Sequence, residues 1–182
     1  MKIMIASDLH GSELYCRNVL EAMQREQADK LLLLGDLLYY GPRNPLPEGY
    51  NPQAVAAMLN AYKQQILCVR GNCDSEVDQM MLDFPIMAEY CILSAGKRMI
   101  FATHGHIYNE NHLPMLQPGD VLLHGHTHIP VLADRGDYIY INPGSVTLPK
   151  EGSFRSYLIL EEDIFTLKTL SGEVLEQQSL HM

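Results

Sequence analysis

The stretch His124-Gly125-His126-Thr127-His128 follows the apolar run Val121-Leu122-Leu123 and precedes Pro130. Two imidazoles at i and i+2, on a segment that has just left a strand, can face one small site if the backbone turns there, and histidine is the commonest neutral metal ligand. Gly125 beside the pair lets the backbone leave the strand path and come close to an ion. Five residues of this kind would also suit a half-buried strand end with hydrogen-bonded histidines, so the rest of the chain has to decide.

Four other stretches carry polar residues of the same kind: Asp8-Leu9-His10-Gly11, Gly35-Asp36, Gly71-Asn72-Cys73-Asp74 and Thr103-His104-Gly105-His106. Each follows an apolar run. Lys2 to Ala6 reads as a strand, and Leu14, Val19, Leu20 and Met23 then recur at helical spacing, with Ser12 as N-cap and an end near Gln27. Leu31 to Leu34 is fully apolar, as a strand covered on both faces should be. Residues 39–50 hold three prolines and two glycines and read as a loop; Asn51-Pro52 then opens a helix to about Tyr62. Ile66 to Val69 makes a third strand, after which Ser75 caps a short helix to about Leu82.

Three strand-loop-helix units in a row imply parallel strands with right-handed crossovers, and ligands gather at the carboxyl ends of such strands. An aspartate after one strand is usually a turn former or a cap. Three ends carrying Asp8 and His10, Asp36 and Asn72 are harder to assign to turns. From Met87 the spacing tightens to strands at Glu89 to Leu93, Arg98 to Ala102, Val121 to Leu123, Asp137 to Ile141, Ser156 to Leu160 and Phe165 to Leu170. Breaks at Ala95-Gly96, Arg135-Gly136 and Glu162-Asp163 predict a second, largely antiparallel sheet packed on the first with helices outside. Asn142-Pro143-Gly144-Ser145 reads as a structural turn bordering the site.

Collected from these strand ends, the candidate metal ligands are Asp8, His10, Asp36, Asn72, His104, His126 and His128. A single catalytic zinc takes three protein ligands and a water. Seven oxygen and nitrogen donors suit two ions that share a carboxylate, and Asp36 is the best bridge.

The motifs Asp-x-His, Gly-Asp, Gly-Asn-x-Asp, Gly-His and Gly-His-Thr-His, in that order from residue 8 to residue 128, resemble those of the calcineurin-like metallophosphoesterase superfamily. The small size and the GNCD and INPGS stretches are most similar to its small bacterial and archaeal phosphodiesterases of the YfcE type, relatives of the phosphoesterase-like scaffold subunit of the retromer coat. The resemblance implies an α/β fold of two packed mixed β-sheets flanked by helices, a four-layer α/β/β/α arrangement. It implies a first ion on Asp8, His10, Asp36 and His128 and a second on Asp36, Asn72, His104 and His126. Two ions about 3.5–4 Å apart make a bridging hydroxide available near neutral pH and orient a phosphate for in-line attack. The donor set, without thiolate, suits Mn²⁺, Fe or Zn²⁺, with Mn²⁺ the first choice by resemblance. The resemblance also admits two other readings, a catalytically weak protein-binding scaffold like the retromer subunit and a phosphomonoesterase.

One departure bears on substrates. Many family members carry histidine after the asparagine of Gly-Asn, where it contacts phosphate or helps the leaving group depart, and this chain has Cys73. A thiol is a weak hydrogen-bonding group and a poor acid for an alkoxide, so good leaving groups are expected. Asp74 either orients a histidine or water in the site or caps the following helix with Ser75. His106 is the leading remaining candidate for a phosphate or leaving-group contact, with a supporting or solvent role as its alternative. Arg43 is placed in the loop either to touch a phosphate or to stay solvated, and His124 reads as core or support.

The chain has 182 residues, the size of one domain, and 47% apolar residues to fill its core. Its net charge of −9 argues against long nucleic acid and anionic membranes as partners. A small phosphodiester is the expected substrate, attracted locally by bound cations, and a homo-oligomer is allowed. Four cysteines without CxxC pairing, and a start that runs from Met1 into a strand, point to a reduced, cytoplasmic protein.

Overall fold

The structure is a computed structural model, and it describes residues 1–180. Its elements in order are β1 (Ile3–Ala6), α1 (Glu13–Glu26), β2 (Lys30–Leu33), α2 (Pro52–Ala61), β3 (Ile66–Cys68), α3 (Glu76–Met81), β4 (Tyr90–Ala95), β5 (Arg98–Thr103), β6 (Val121–His124), β7 (Pro130–Asp134), β8 (Ile139–Pro143), β9 (Ser156–Glu161), β10 (Ile164–Thr169) and β11 (Val174–Ser179).

Two mixed sheets carry the fold. The six-stranded sheet has the order β11-β10-β9-β1-β2-β3, and the five-stranded sheet has the order β4-β5-β6-β8-β7. Strands β1, β2 and β3 are parallel, whereas β9 runs antiparallel to β1 with Ile3 opposite Leu160. In the second sheet β5, β6 and β8 are parallel, and the two edge strands run against them.

Alternation along the central strands separates two cores, because successive side chains of a strand point to opposite faces. Met4, Ala6, Leu31 and Leu33 pack with α1 and α2 through Val19, Met23, Val55 and Leu59. Ile3, Ile5, Leu32 and Leu34 face the other way and meet Ile100, Ala102, Val121, Leu123 and Ile141 of the second sheet. Side chains such as Leu32 and Val121 are wholly buried, each worth about 1.5–3 kcal/mol relative to exposure. The outer face of the second sheet, through Phe101, Leu122 and Tyr140, is covered by Tyr108 and Leu116 of a segment that contains no helix.

The helix starts follow their sequence signals. Ser12 caps α1 by accepting from Tyr15, Asn51 caps α2 ahead of Pro52, and Ser75 and Asp78 form a reciprocal capping box on α3. Three expectations change. The second sheet is mixed rather than largely antiparallel, because β6 and β8 continue the parallel run from β5. The last strands, read as part of that second sheet, instead complete the first one beside β1. Strands β7 and β11 carry no clear sequence signal: β7 begins at Pro130 on a sheet edge, where a missing N–H is tolerated, and β11 is a mostly exposed edge strand of mixed polarity. Among the described residues no helix is long and apolar enough to cross a membrane.

Candidate metal centre

All the marked stretches leave carboxyl-terminal strand ends, from β1, β2, β3, β5 and β6, and the two-sheet packing brings those ends to one edge of the molecule. Turning a side chain inward immediately after a strand requires an unusual backbone. Asp8, His10, Asp36, His126 and His128 all have positive φ, between 48° and 64°. Left-handed backbone at residues other than glycine costs of order 1–3 kcal/mol each and persists where surrounding structure enforces it, as at functional sites. Glycine is needed where the chains approach most closely. A Cβ at Gly125 would overlap the Ser7 hydroxyl, and one at Gly71 would overlap the Asp36 backbone and carboxylate.

The donor atoms converge. Asp8 Oδ1 lies 3.2 Å from His128 Nε2 and 3.5 Å from His10 Nε2, and Asp36 Oδ2 lies 3.5 Å from His104 Nε2 and 3.8 Å from His10 Nε2. His104 Nε2 is also 3.1 Å from Asn72 Oδ1 and 3.1 Å from His126 Nδ1. Within this cluster Asp8-His10-His128, Asp8-Asp36-His104 and His10-Asp36-Cys73 each offer three ligand atoms within 4.8 Å of one another. Every one of the seven expected donors reaches the cluster.

The chemistry of the donor set fits divalent cations. His10 Nδ1 donates to Tyr39 O at 2.9 Å, His104 Nδ1 to Leu34 O at 2.7 Å and His128 Nδ1 to Leu148 O at 2.6 Å. A carbonyl has no proton to give, so each Nδ1 carries the hydrogen and each Nε2 turns a lone pair inward, the tautomer that metal-binding imidazoles adopt. His10 Nε2 and His128 Nε2 then face each other at 3.3 Å, and the wholly buried Asp8 Oδ1 accepts no hydrogen bond. Lone pairs and carboxylates gathered in this way call for positive charge between them.

Protons and metal cations compete for these donors, because the carboxylates favour any positive charge placed beside them. Burial alone would raise the Asp8 carboxyl, but the His10 and His128 imidazoles and the charge of His104 hold it well below the usual carboxylate range. Burial lowers His104, yet Asp36 and Asp8 outweigh it and lift this imidazole to about 9. His126 receives less help, and burial together with the nearby His104 pushes it down to about 4.

A supporting layer surrounds the donors. The Asn142 amide donates to Gly125 O and to Thr127 Oγ1, both at 3.0 Å, and Ser145 Oγ donates to Asp8 O at 3.1 Å. The expected turn is therefore a brace for two of the ligand-bearing loops. Asp74 corrects both of its sequence alternatives. It is buried and accepts the N–H groups of Asp36 at 2.8 Å, Leu37 at 2.8 Å and Gly71 at 2.7 Å, so it neither orients a histidine nor caps α3.

An open cleft of about 440 Å³ leads to the donors, lined by Asp36, Arg43, Asn72, Cys73, His126 and Lys150. Arg43 thus faces the site. Lys150 went unnoticed in the sequence because it sits in an unremarkable turn, and the carbonyls of Tyr39 and Leu148 have no side-chain signature at all. His106 lines an adjoining cleft with Asn109 and His124, 5.4 Å from the His104 ring, and its Nδ1 is buried without a hydrogen bond. His124 is buried 4.8 Å from the Tyr140 ring, in the supporting position expected of it.

Residues 1–163 match the model of the calcineurin-like phosphoesterase superfamily domain. The chain belongs to the calcineurin-like phosphoesterase superfamily. Within that superfamily it is 47% identical over 178 residues to phosphodiesterase YfcE of Escherichia coli strain K12, covering 98% of this chain and 97% of that one. The solved structure of Yfce, described as a phosphoesterase from E. coli, superposes with a TM-score of 0.96 at 45% identity over the full length of both chains. The structure of vacuolar protein sorting 29 from Cryptosporidium parvum matches with a TM-score of 0.61 at 20% identity, covering 98% and 97% of the two chains, which shows a shared fold. Two mixed sheets with three helices are thus the calcineurin-like phosphoesterase architecture. That family implies divalent metal ions, and the donor cluster supplies candidate ligands for them.

Proposed function

We propose that this protein is a metal-dependent phosphodiesterase that hydrolyses small phosphodiesters at a dinuclear centre. The observation that carries the reading is the inward convergence of carboxylate oxygens and imidazole lone pairs, with three Nδ1 protons already engaged by backbone carbonyls. The relative at 47% identity is itself named a phosphodiesterase.

Asp8, His10, Asp36 and His128 would hold one ion, and Asp36, Asn72, His104 and His126 the other, with Mn²⁺ as the first choice and Zn²⁺ or Fe as alternatives. Such ions lower the pKa of a shared water and neutralise phosphate charge. The chain's own residues do the rest. Asp36 accepts the Cys73 N–H at 2.8 Å through Oδ1, which aims Oδ2 at the histidines. Arg43 and Lys150, on the cleft wall, supply cationic contacts for the phosphate of a protein whose overall charge is −9. His106, which lines the adjoining cleft 5.4 Å from the His104 ring, is assigned as the group that would contact an ester oxygen. Cys73 offers only a weak donor there, so diesters with good leaving groups are favoured. A scaffold without catalysis would gain nothing from five left-handed ligand residues, and the full donor set favours hydrolysis.

The test is activity of metal-stripped protein against phosphomonoesters, diesters and cyclic nucleotides, with each divalent ion restored in turn. Turnover of diesters that returns with Mn²⁺ is the expected result. A preference for monoesters, or no turnover with any ion, would overturn the reading.

A further inference from the structure

A second cleft of about 440 Å³ opens beside the first, and Cys73 lines both. We propose that this cleft, walled by Leu38, Tyr39, Tyr50, Val77 and Met81, is a subsite for a flat apolar substituent of the phosphodiester, entered past Cys73. The proposal rests on the phosphodiesterase reading above.

Position makes the subsite part of the same site. The Tyr39 carbonyl holds His10 Nδ1 at 2.9 Å, and the Cys73 N–H holds Asp36 Oδ1 at 2.8 Å, so the walls belong to residues that already orient the donors. A phosphodiester whose phosphate lies against Asp36 and Asn72 therefore has one ester arm directed towards Cys73.

Composition sets the kind of arm. The central cleft presents Arg43 and Lys150, whereas the second presents mainly aromatic and aliphatic surface, with Gln53 at its wall and Asp78 turned onto the Ser75 N–H and hydroxyl at 2.8 Å. Helix α3 buries none of its side chains, and Val77 and Met81 remain 68% and 45% exposed on the cleft side. The helix is held instead by its capping box and by Gln79, which bonds Leu82 O, Phe84 O and the Ile86 N–H. Its apolar side chains are thus available to a ligand at little cost to folding. A cavity of roughly 150 Å³ suffices for benzene, so the cleft has room for a ring or a fused pair. The Cys73 thiol, a weak hydrogen-bonding group, forms an apolar threshold between the phosphate and this space.

The test uses two phosphinates, whose carbon–phosphorus bonds are not hydrolysed. Calorimetric titration of the Zn²⁺-loaded full chain with phenyl(methyl)phosphinate and with dimethylphosphinate should show the phenyl compound binding about tenfold tighter, as burial of one aromatic face predicts. Val77→Asp and Met81→Ser, at exposed positions that do not threaten folding, should each bring the ratio towards one. Equal affinities that both require metal overturn the subsite and leave the phosphodiesterase reading intact. A ratio that survives both substitutions places the ring elsewhere and overturns it too. Binding by neither compound overturns the subsite, and the metal panel then decides separately whether the phosphodiesterase reading falls with it.

Discussion

The Asp74 carboxylate accepts the backbone N–H of Asp36 at 2.8 Å, and the same oxygen accepts that of Gly71 at 2.7 Å. One buried side chain thereby holds the turn that carries the shared metal-bridging candidate against the turn that carries Asn72. Asp74→Asn must point an amide N–H at one of three backbone donors, at a cost of about 1–3 kcal/mol. The expected outcome is a lower melting temperature together with weaker Mn²⁺ binding. Unchanged metal affinity in a destabilised variant would reduce Asp74 to a purely structural role.

Asp36→Asn removes charge where two ions are proposed to share a ligand. Its amide oxygen must keep the Cys73 N–H, so the NH₂ group turns towards His104. At fixed Mn²⁺ we expect kcat/KM to fall at least about tenfold, with partial recovery in excess metal. Unchanged turnover would remove Asp36 from its assigned role.

Cys73→His supplies a proton donor at the mouth of the cleft. Burial pushes the native thiol well above its ordinary range, and the nearby Asp36 carboxylate pushes it the same way. Hydrolysis of diesters with poor leaving groups should rise in the variant while metal content holds. The comparison is a leaving-group series, and the absence of any gain on the poorest esters would count against the assignment.

Far from the site, Glu26 Oε1 accepts Tyr157 Oη and Lys168 Nζ, each at 2.7 Å. Burial would raise this carboxyl, but Lys168 and Tyr157 outweigh it and hold it below the ordinary glutamate range. A folded-state pKa below the unfolded one contributes stability above the unfolded value, and that contribution fades as pH falls through the folded one. Glu26→Gln should therefore melt lower than the parent near neutral pH, with the gap closing in acid. A gap that stays constant across the titration would contradict the linkage.

The sequence made the centre legible because its chemistry is written in side chains: Asp8, His10, Asp36, Asn72, His104, His126 and His128 all reach one cluster. Helix starts were equally clear, since Ser12, Asn51 and Ser75 are caps whose geometry is local. Sheet membership was not, because the pairing of β9 with β1 depends on a partner more than a hundred residues away. Asp74 misled for a related reason: two of its three backbone N–H partners, those of Asp36 and Leu37, lie in a distant turn that no motif announces.

The antiparallel pairing of Ile3 with Leu160 has a consequence for biosynthesis. As the polypeptide leaves the ribosome, β1 can dock on β2 early, yet its other flank stays an open edge until β9 has been translated. Ser145, whose hydroxyl secures the Asp8 carbonyl, emerges almost as late. The nascent chain therefore completes the scaffold beneath Asp8 only after Leu160 has been translated, more than 150 residues behind Asp8 itself, so the carboxylate waits in a half-built sheet for most of that interval.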